Sequence, residues 1–266
     1  MMADPTVHLT RWGDEGPVVI MVHGSAQGSQ VGGDRHFAGQ ARLAQRGWRI
    51  IAPDRPGHAR SPAPGRPDDA EADGEWVANL LGDGAHLVGH SFGGAVALAA
   101  AARRPQAVRS LTLIEPAMHA LGVADPRVQA FLGRLIELQT SPGSAADLAL
   151  GFSELVGIPA DIGGGKSQAE LERMGQGMRA MKPPNAGDLR AELASTRAAN
   201  IPLLVVTGGW SPAFEAVGDI VADLGGGSHV VVEAPHHFPH LVSDEFNDLL
   251  HAFMKRTPAP SPGPRG

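Results

Sequence analysis

Apolar runs of strand length alternate with amphipathic stretches along most of this chain. The runs are Val7-His8-Leu9, Val18-Val19-Ile20-Met21-Val22, Trp48-Arg49-Ile50-Ile51, Ala85-His86-Leu87-Val88-Gly89, Leu111-Thr112-Leu113-Ile114, Leu203-Leu204-Val205-Val206 and His229-Val230-Val231-Val232. Most are nearly continuous in Val, Ile and Leu instead of alternating with polar residues, the pattern of strands covered on both faces. Between them the spacing predicts helices over 37–46, 71–81, 92–103, 214–224 and 244–254. Strand and helix in regular succession imply βαβ units, an α/β class and a mostly parallel sheet flanked by helices.

The alternation breaks once. Between Ile114 and Leu203 no strand pattern occurs, while amphipathic stretches such as 128–138 and 189–197 recur. The interval is too long for a connection and too patterned for a linker. It predicts a helical cap over 117–199, inserted into a core made of 1–116 and 200–256. The tail 257–266, with Thr257-Pro258-Ala259-Pro260-Ser261-Pro262-Gly263-Pro264, is expected to be disordered.

Composition narrows the function classes. At 266 residues, 42% hydrophobic and 19% charged, the chain suits a globular enzyme with a sizeable core. A net charge of -6 leaves no basic field for nucleic acid or an anionic membrane. The absence of cysteine excludes disulfides, thiolate metal sites and a cysteine nucleophile. No apolar run approaches the ~20 residues of a membrane span, and Met1-Met2-Ala3-Asp4-Pro5 lacks the basic and apolar regions of a signal peptide. A cytoplasmic location is therefore the expectation, with a homodimer left open.

The chemistry centres on Gly89-His90-Ser91-Phe92-Gly93, where a buried run breaks into the small-residue run Ala95-Val96-Ala97-Leu98-Ala99. A G-x-S-x-G between strand and helix holds its serine on a sharp elbow with the hydroxyl exposed, which makes Ser91 the candidate nucleophile. A serine needs a base within hydrogen-bond reach. His237 follows the last strand across Glu233-Ala234-Pro235-His236, at the sheet edge where strand carboxyl ends open; His236 and His240 are its competitors. A metal reading of these histidines is set aside, because adjacent histidines point apart and no partner group with ligand spacing occurs elsewhere. No metal and no cofactor are expected. Gly163-Gly164-Gly165-Lys166-Ser167 is not a phosphate loop, since Ala160 stands where a Walker glycine belongs and no strand precedes it.

Four motifs in order make the chain resemble the α/β-hydrolase family over nearly its whole length. Val22-His23-Gly24-Ser25 resembles the oxyanion loop, Ala52-Pro53-Asp54-Arg55-Pro56-Gly57-His58 the fourth-strand turn, Gly89 to Gly94 the nucleophile elbow, and His237-Phe238-Pro239-His240 the catalytic-histidine loop. The resemblance implies an α/β-hydrolase fold with an inserted helical cap. It also implies backbone oxyanion donors at Phe92 and at Ser25, with Ala26 next. One departure stands out: after the strand 203–206, where the family most often carries its acid, this chain reads Thr207-Gly208-Gly209-Trp210-Ser211-Pro212. Serine at that position cannot steady an imidazolium. Glu115, at the end of the strand after the nucleophile strand, is the first substitute, as in haloalkane dehalogenases and the zearalenone lactonases that this chain resembles in its His-Phe-Pro loop. Glu215 and an unassisted Ser–His dyad are the alternatives.

The expected activity is hydrolysis of a carboxylic ester or lactone, without cofactor, on a small and apolar substrate. Trp210, with Phe37, Phe131 and Phe152, is a candidate for the pocket wall, although isolated aromatics more often belong to the core. Ser91 in place of aspartate argues against dehalogenase and epoxide hydrolase chemistry. A lyase or C–C bond hydrolase on the same triad, and a binding protein with negligible turnover, are the competing readings.

Overall fold

The computed structural model describes residues 7–24, 26–158 and 165–257. Expectations about Met1–Pro5, Ser25, the Gly163-Gly164 pair and the tail from Pro258 onward lie outside the described residues. In chain order the core begins with β1 (Leu9–Trp12), β2 (Val18–Val22), α1 (Gly33–His36), a 3-10 segment (Ala38–Arg46), β3 (Arg49–Pro53), α2 (Ala70–Leu80), β4 (Ala85–His90), α3 (Phe92–Arg103) and β5 (Val108–Ile114). Four helices follow: α4 (Pro126–Thr140), α5 (Ala145–Leu155), α6 (Gln168–Ala180) and α7 (Ala186–Ala198). The core resumes with β6 (Leu203–Thr207), α8 (Pro212–Gly225), β7 (Ser228–Val231), α9 (Pro239–Val242) and α10 (Glu245–Arg256).

The strands form one sheet in the order β1-β3-β2-β4-β5-β6-β7. β1 runs antiparallel to β3 and every other pairing is parallel. Side chains on a strand alternate between faces, and two buried clusters divide accordingly. Ile20, Val22, Leu87 and Val205 pack with Trp76 of α2, Val96 of α3, Leu193 of α7 and Val217 of α8. Val19, Met21, Val88 and Leu204 pack on the other face with Leu43 and with Phe246, Leu250 and Met254 of α10. Helices on both faces explain why the strand sequences are continuously apolar.

Some expectations shift. The first strand lies at Leu9–Trp12, not 7–9, because an edge strand paired on one side needs no continuous apolar run. The stretch 38–46 is 3-10, not α, and ends at Gly47 with φ 85°. Helices α5 and α6 add to those expected between β5 and β6, each started by a serine. Ser144 and Asp147 form a reciprocal capping box, and Ser167 accepts from the Glu170 N–H. Among the described residues, no helix is long and apolar enough to cross a membrane.

Candidate active site

The end of β4 is the centre of the site. Ser91 takes φ 56° and ψ -125°, a conformation that L-residues rarely adopt. The glycines around it are required by close approach. A Cβ on Gly89 would lie 2.4 Å from the Gly93 carbonyl oxygen, and one on Gly93 would lie 2.3 Å from that of Val22. The chain therefore turns directly from strand into α3 and leaves the serine above the sheet edge. Phe92 is the first residue of α3, where N–H groups have no partner within the helix.

Gly24 brings the loop after β2 against the elbow: a Cβ there would lie 2.7 Å from Ser91 Cβ and 3.2 Å from its Oγ. Gly24→Ala is expected to push this loop off the serine and lower kcat about 10²-fold with a smaller change in KM, as when an oxyanion donor is displaced. Steady-state kinetics on one ester check it, and unchanged kcat would disprove a role for the loop.

Glu115 lies beside the elbow because β4 and β5 pair in register, His90 against Ile114. It has φ 44°, and its N–H donates to the Val206 carbonyl at 2.8 Å. Its side chain is fully buried. Oε1 accepts from the Gly208 N–H at 2.6 Å, while Oε2 accepts from Trp210 Nε1 and stands 3.1 Å from His237 Nδ1. Burial pushes this carboxyl up to about 7 against the pull of the Gly208 and Trp210 N–H groups. The His237 imidazole, buried in turn, is held down at about 3, with His236 adding to the effect. His237 is therefore neutral across ordinary pH, and its Nδ1–H donates to Glu115.

The competing residues are engaged elsewhere. Glu215 accepts from Thr207 Oγ1 and the Gly209 N–H, both at 2.9 Å, and so braces the turn that presents Gly208 and Trp210. Ser211 opens α8. His236 Nδ1 accepts from the Phe238 N–H, and His240 Nε2 donates to the His36 carbonyl.

Ser91, Phe92, Ala26 and His237 line a cavity of about 590 Å³ that extends between α4, α5 and α6. Its walls are mainly apolar, with Leu132, Leu135, Leu148 and Phe214 beside Phe131 and Phe152. Trp210 corrects its expected place. It is not part of the cavity wall, and its Nε1–H is spent on Glu115 while the ring packs on Phe214. Phe37 belongs to the core cluster on the other sheet face. His119, which no sequence motif marks, lines the cavity, stacks on Phe131 at 4.5 Å, and is held down at about 4 by burial.

A second network, built from residues distant in sequence, ties the loop after β2 to the loop after β3. His23 Nδ1–H donates to the Gly24 carbonyl at 2.6 Å, and its Nε2 accepts from the Arg55 N–H at 2.9 Å. The buried Arg55 guanidinium pairs with Asp68 and Asp73 and lies 4.7 Å over the Phe92 ring. Asp68 also accepts from the Gln27 N–H at 3.0 Å. The loop is thus fixed from both ends, with the Gln27 donor already used.

Residues 17–155, just over half of the chain, match the family model described as alpha/beta hydrolase fold. The chain is 40% identical over 119 residues to Lipase LipV of Mycobacterium tuberculosis, covering 42% of each protein. It is 36% identical over 119 residues to 2-hydroxymuconate semialdehyde hydrolase of Pseudomonas putida, covering 42% of this chain and 39% of that one. The chain thus spans about two-fifths of the length of these curated relatives. Among solved structures, the enol-lactonase from Burkholderia xenovorans LB400 superposes with TM-score 0.64 at 20% identity, over 95% of this chain and 99% of the other.

Proposed function

Because this chain belongs to the alpha/beta hydrolase fold family, we propose that it is a serine hydrolase that cleaves a carboxylic ester or lactone through an acyl-enzyme. The observation that carries this reading is the Glu115–His237 contact at 3.1 Å, at the wall of the cavity that also holds Ser91. Ser91 Oγ attacks the carbonyl carbon while His237 Nε2 takes its proton. Glu115 holds the ring by Nδ1 and offsets the charge of the imidazolium. The Phe92 N–H and a donor from the loop at Ser25 or Ala26 receive the oxyanion. His237 then protonates the leaving alcohol, and water follows the same path in reverse to release the acid.

The His-Phe-Pro loop and the serine in place of the usual aspartate, by which the chain resembles zearalenone lactonases, support the esterase and lactonase reading. Residues 117–199 are the proposed cap. The cavity favours an apolar acyl or ring portion of intermediate size, because volumes of roughly 300–1,000 Å³ suit drug-sized ligands. The test combines labelling by a fluorophosphonate with a panel of esters graded in acyl length and lactones graded in ring size. Stoichiometric labelling at Ser91 with measurable turnover on the panel is the expected result. Failure to label would remove the serine mechanism and favour a binding protein.

A second reading, C–C bond hydrolysis with the same residues, is favoured by the similarity to 2-hydroxymuconate semialdehyde hydrolase. Turnover of vinylogous diketones exceeding that of every ester would move the assignment there.

A further inference from the structure

Beneath the triad lies a group of histidines that the proposed reaction does not use. His36 at the end of α1, His90 at the end of β4 and His240 in α9 are all buried, and each offers a ring nitrogen within 4.8 Å of the other two. His90 and His240 lie 54 and 204 residues after His36, which hides this grouping from any reading of ligand spacing. The hydrogen bonds decide which nitrogens carry protons. His90 Nε2 faces the His237 carbonyl at 2.7 Å and must donate to it, so its Nδ1 carries a lone pair. His240 Nε2 donates to the His36 carbonyl at 3.2 Å, which leaves its Nδ1 as a lone pair as well. That Nδ1 is buried and has no hydrogen-bond partner among the described residues. His36 Nε2 stands 2.7 Å from His90 Nδ1.

We propose that His36 Nε2, His90 Nδ1 and His240 Nδ1 form a binding site for a transition-metal ion of the Zn²⁺ or Cu⁺ class. Such an ion ties the strand that carries Ser91 to the loop that carries His237. Two features support it. Two of the three ligands already donate their other ring N–H to a backbone carbonyl, the arrangement that fixes tautomer and ring orientation around bound metals. One ligand atom from each residue lies within 4.8 Å of the others, and the hydrogen-bonded His36–His90 pair at 2.7 Å has only to open to the separation of about 3.3 Å that metal–nitrogen bonds of about 2.0–2.1 Å impose at tetrahedral angles. Binding needs the His36 proton to move from Nε2 to Nδ1 and releases no net proton. Neighbouring His23 and His237 are not ligands: both ring nitrogens of His23 serve Gly24 and Arg55, while His237 Nδ1 serves Glu115 and its Nε2 is the proposed base for Ser91. Imidazoles without thiolate or carboxylate suit zinc and copper over calcium or magnesium.

The test uses the full chain without an oligohistidine tag, produced in medium supplemented with zinc or with copper and passed through gel filtration. About one equivalent of metal should remain bound, and X-ray absorption should count three imidazole nitrogens at about 2.0–2.1 Å. Removing the metal should lower Tm by at least about 5 °C, while the rate at 25 °C stays within twofold because the ion touches no reacting atom. His36→Gln and His240→Gln should each abolish retention, and His229→Asn, altering the histidine beside Asp219, should keep it. Retention below about 0.1 equivalent of either metal, equal retention by His36→Gln and His240→Gln, or loss in His229→Asn would overturn the proposal. If the two glutamine variants fail to fold, the imidazole count in the wild-type protein decides: fewer than three refutes the site. None of these outcomes depends on whether Ser91 is the nucleophile.

Discussion

Ser91→Ala is expected to lower kcat about 10⁴–10⁶-fold with Tm within about 2 °C of wild type. The substitution removes the only atom that attacks while leaving the elbow as it stands. Its Cβ, which Gly24 accommodates, is kept, and so is the unusual backbone conformation, which alanine tolerates about as poorly as serine. The hydroxyl does not cap α3, so the fold loses no helix-start bond with it. Residual hydrolysis comes from the oxyanion donors and the cavity alone. His237→Ala should show a loss of similar size, since nucleophile and base act as one unit and their effects do not add. Turnover near wild type in either variant would refute the mechanism. A fall in Tm beyond about 5 °C in Ser91→Ala would instead make the serine a structural residue.

How much of this could be read from the sequence follows from the range over which each feature is specified. The range of β2 is legible to the residue, because a continuous apolar run is bounded by Pro17 and by His23-Gly24. So is α3, which starts at the serine and ends among arginines. The start of helix α5 is also marked locally, by the capping box of Ser144 and Asp147. The same division holds in the site. The elbow and the histidine loop are local motifs. The carboxylate could be narrowed to Glu115 and Glu215, and it is contact across β5 and β6 that separates them. At Trp210 ring size suggests a pocket wall, whereas its indole N–H is taken up by a buried carboxylate 95 residues away in sequence. Arg55, Asp68 and the His36–His90–His240 group depend on residues distant in sequence, so only the folded chain discloses them.

Glu115→Gln is expected to lower kcat about 10³–10⁴-fold, close to the cost of the carboxylate-to-amide exchange in other serine triads. The loss has a geometric and an electrostatic part. Glu115 Oε1 accepts the Gly208 N–H, a role that an amide oxygen can keep. Oε2 meets two donors, Trp210 Nε1–H and His237 Nδ1–H, where an amide would present a third. Relief comes most easily by moving the His237 proton to Nε2, which destroys its capacity to accept from Ser91. The charge that offsets the imidazolium is lost as well. The pH dependence separates this account from simple disruption. Because burial raises Glu115 to about 7 while His237 stays neutral far below that, kcat/KM of the wild type should fall as pH drops through about 7. The proton gained there belongs to the coupled pair and neutralises the carboxylate. In Glu115→Gln that limb should vanish, leaving a low rate that is flat between about pH 5 and 8 after subtraction of uncatalysed hydrolysis. Trp210→Phe keeps the carboxylate but withdraws one donor from its ionised form, so the limb should move to higher pH. Glu215→Gln, which alters the bracing turn and its contact with His229 but nothing at His237, should stay within threefold. If Glu115→Gln costs less than threefold while Glu215→Gln is severe, or if the limb near pH 7 persists in Glu115→Gln, the acid is not Glu115.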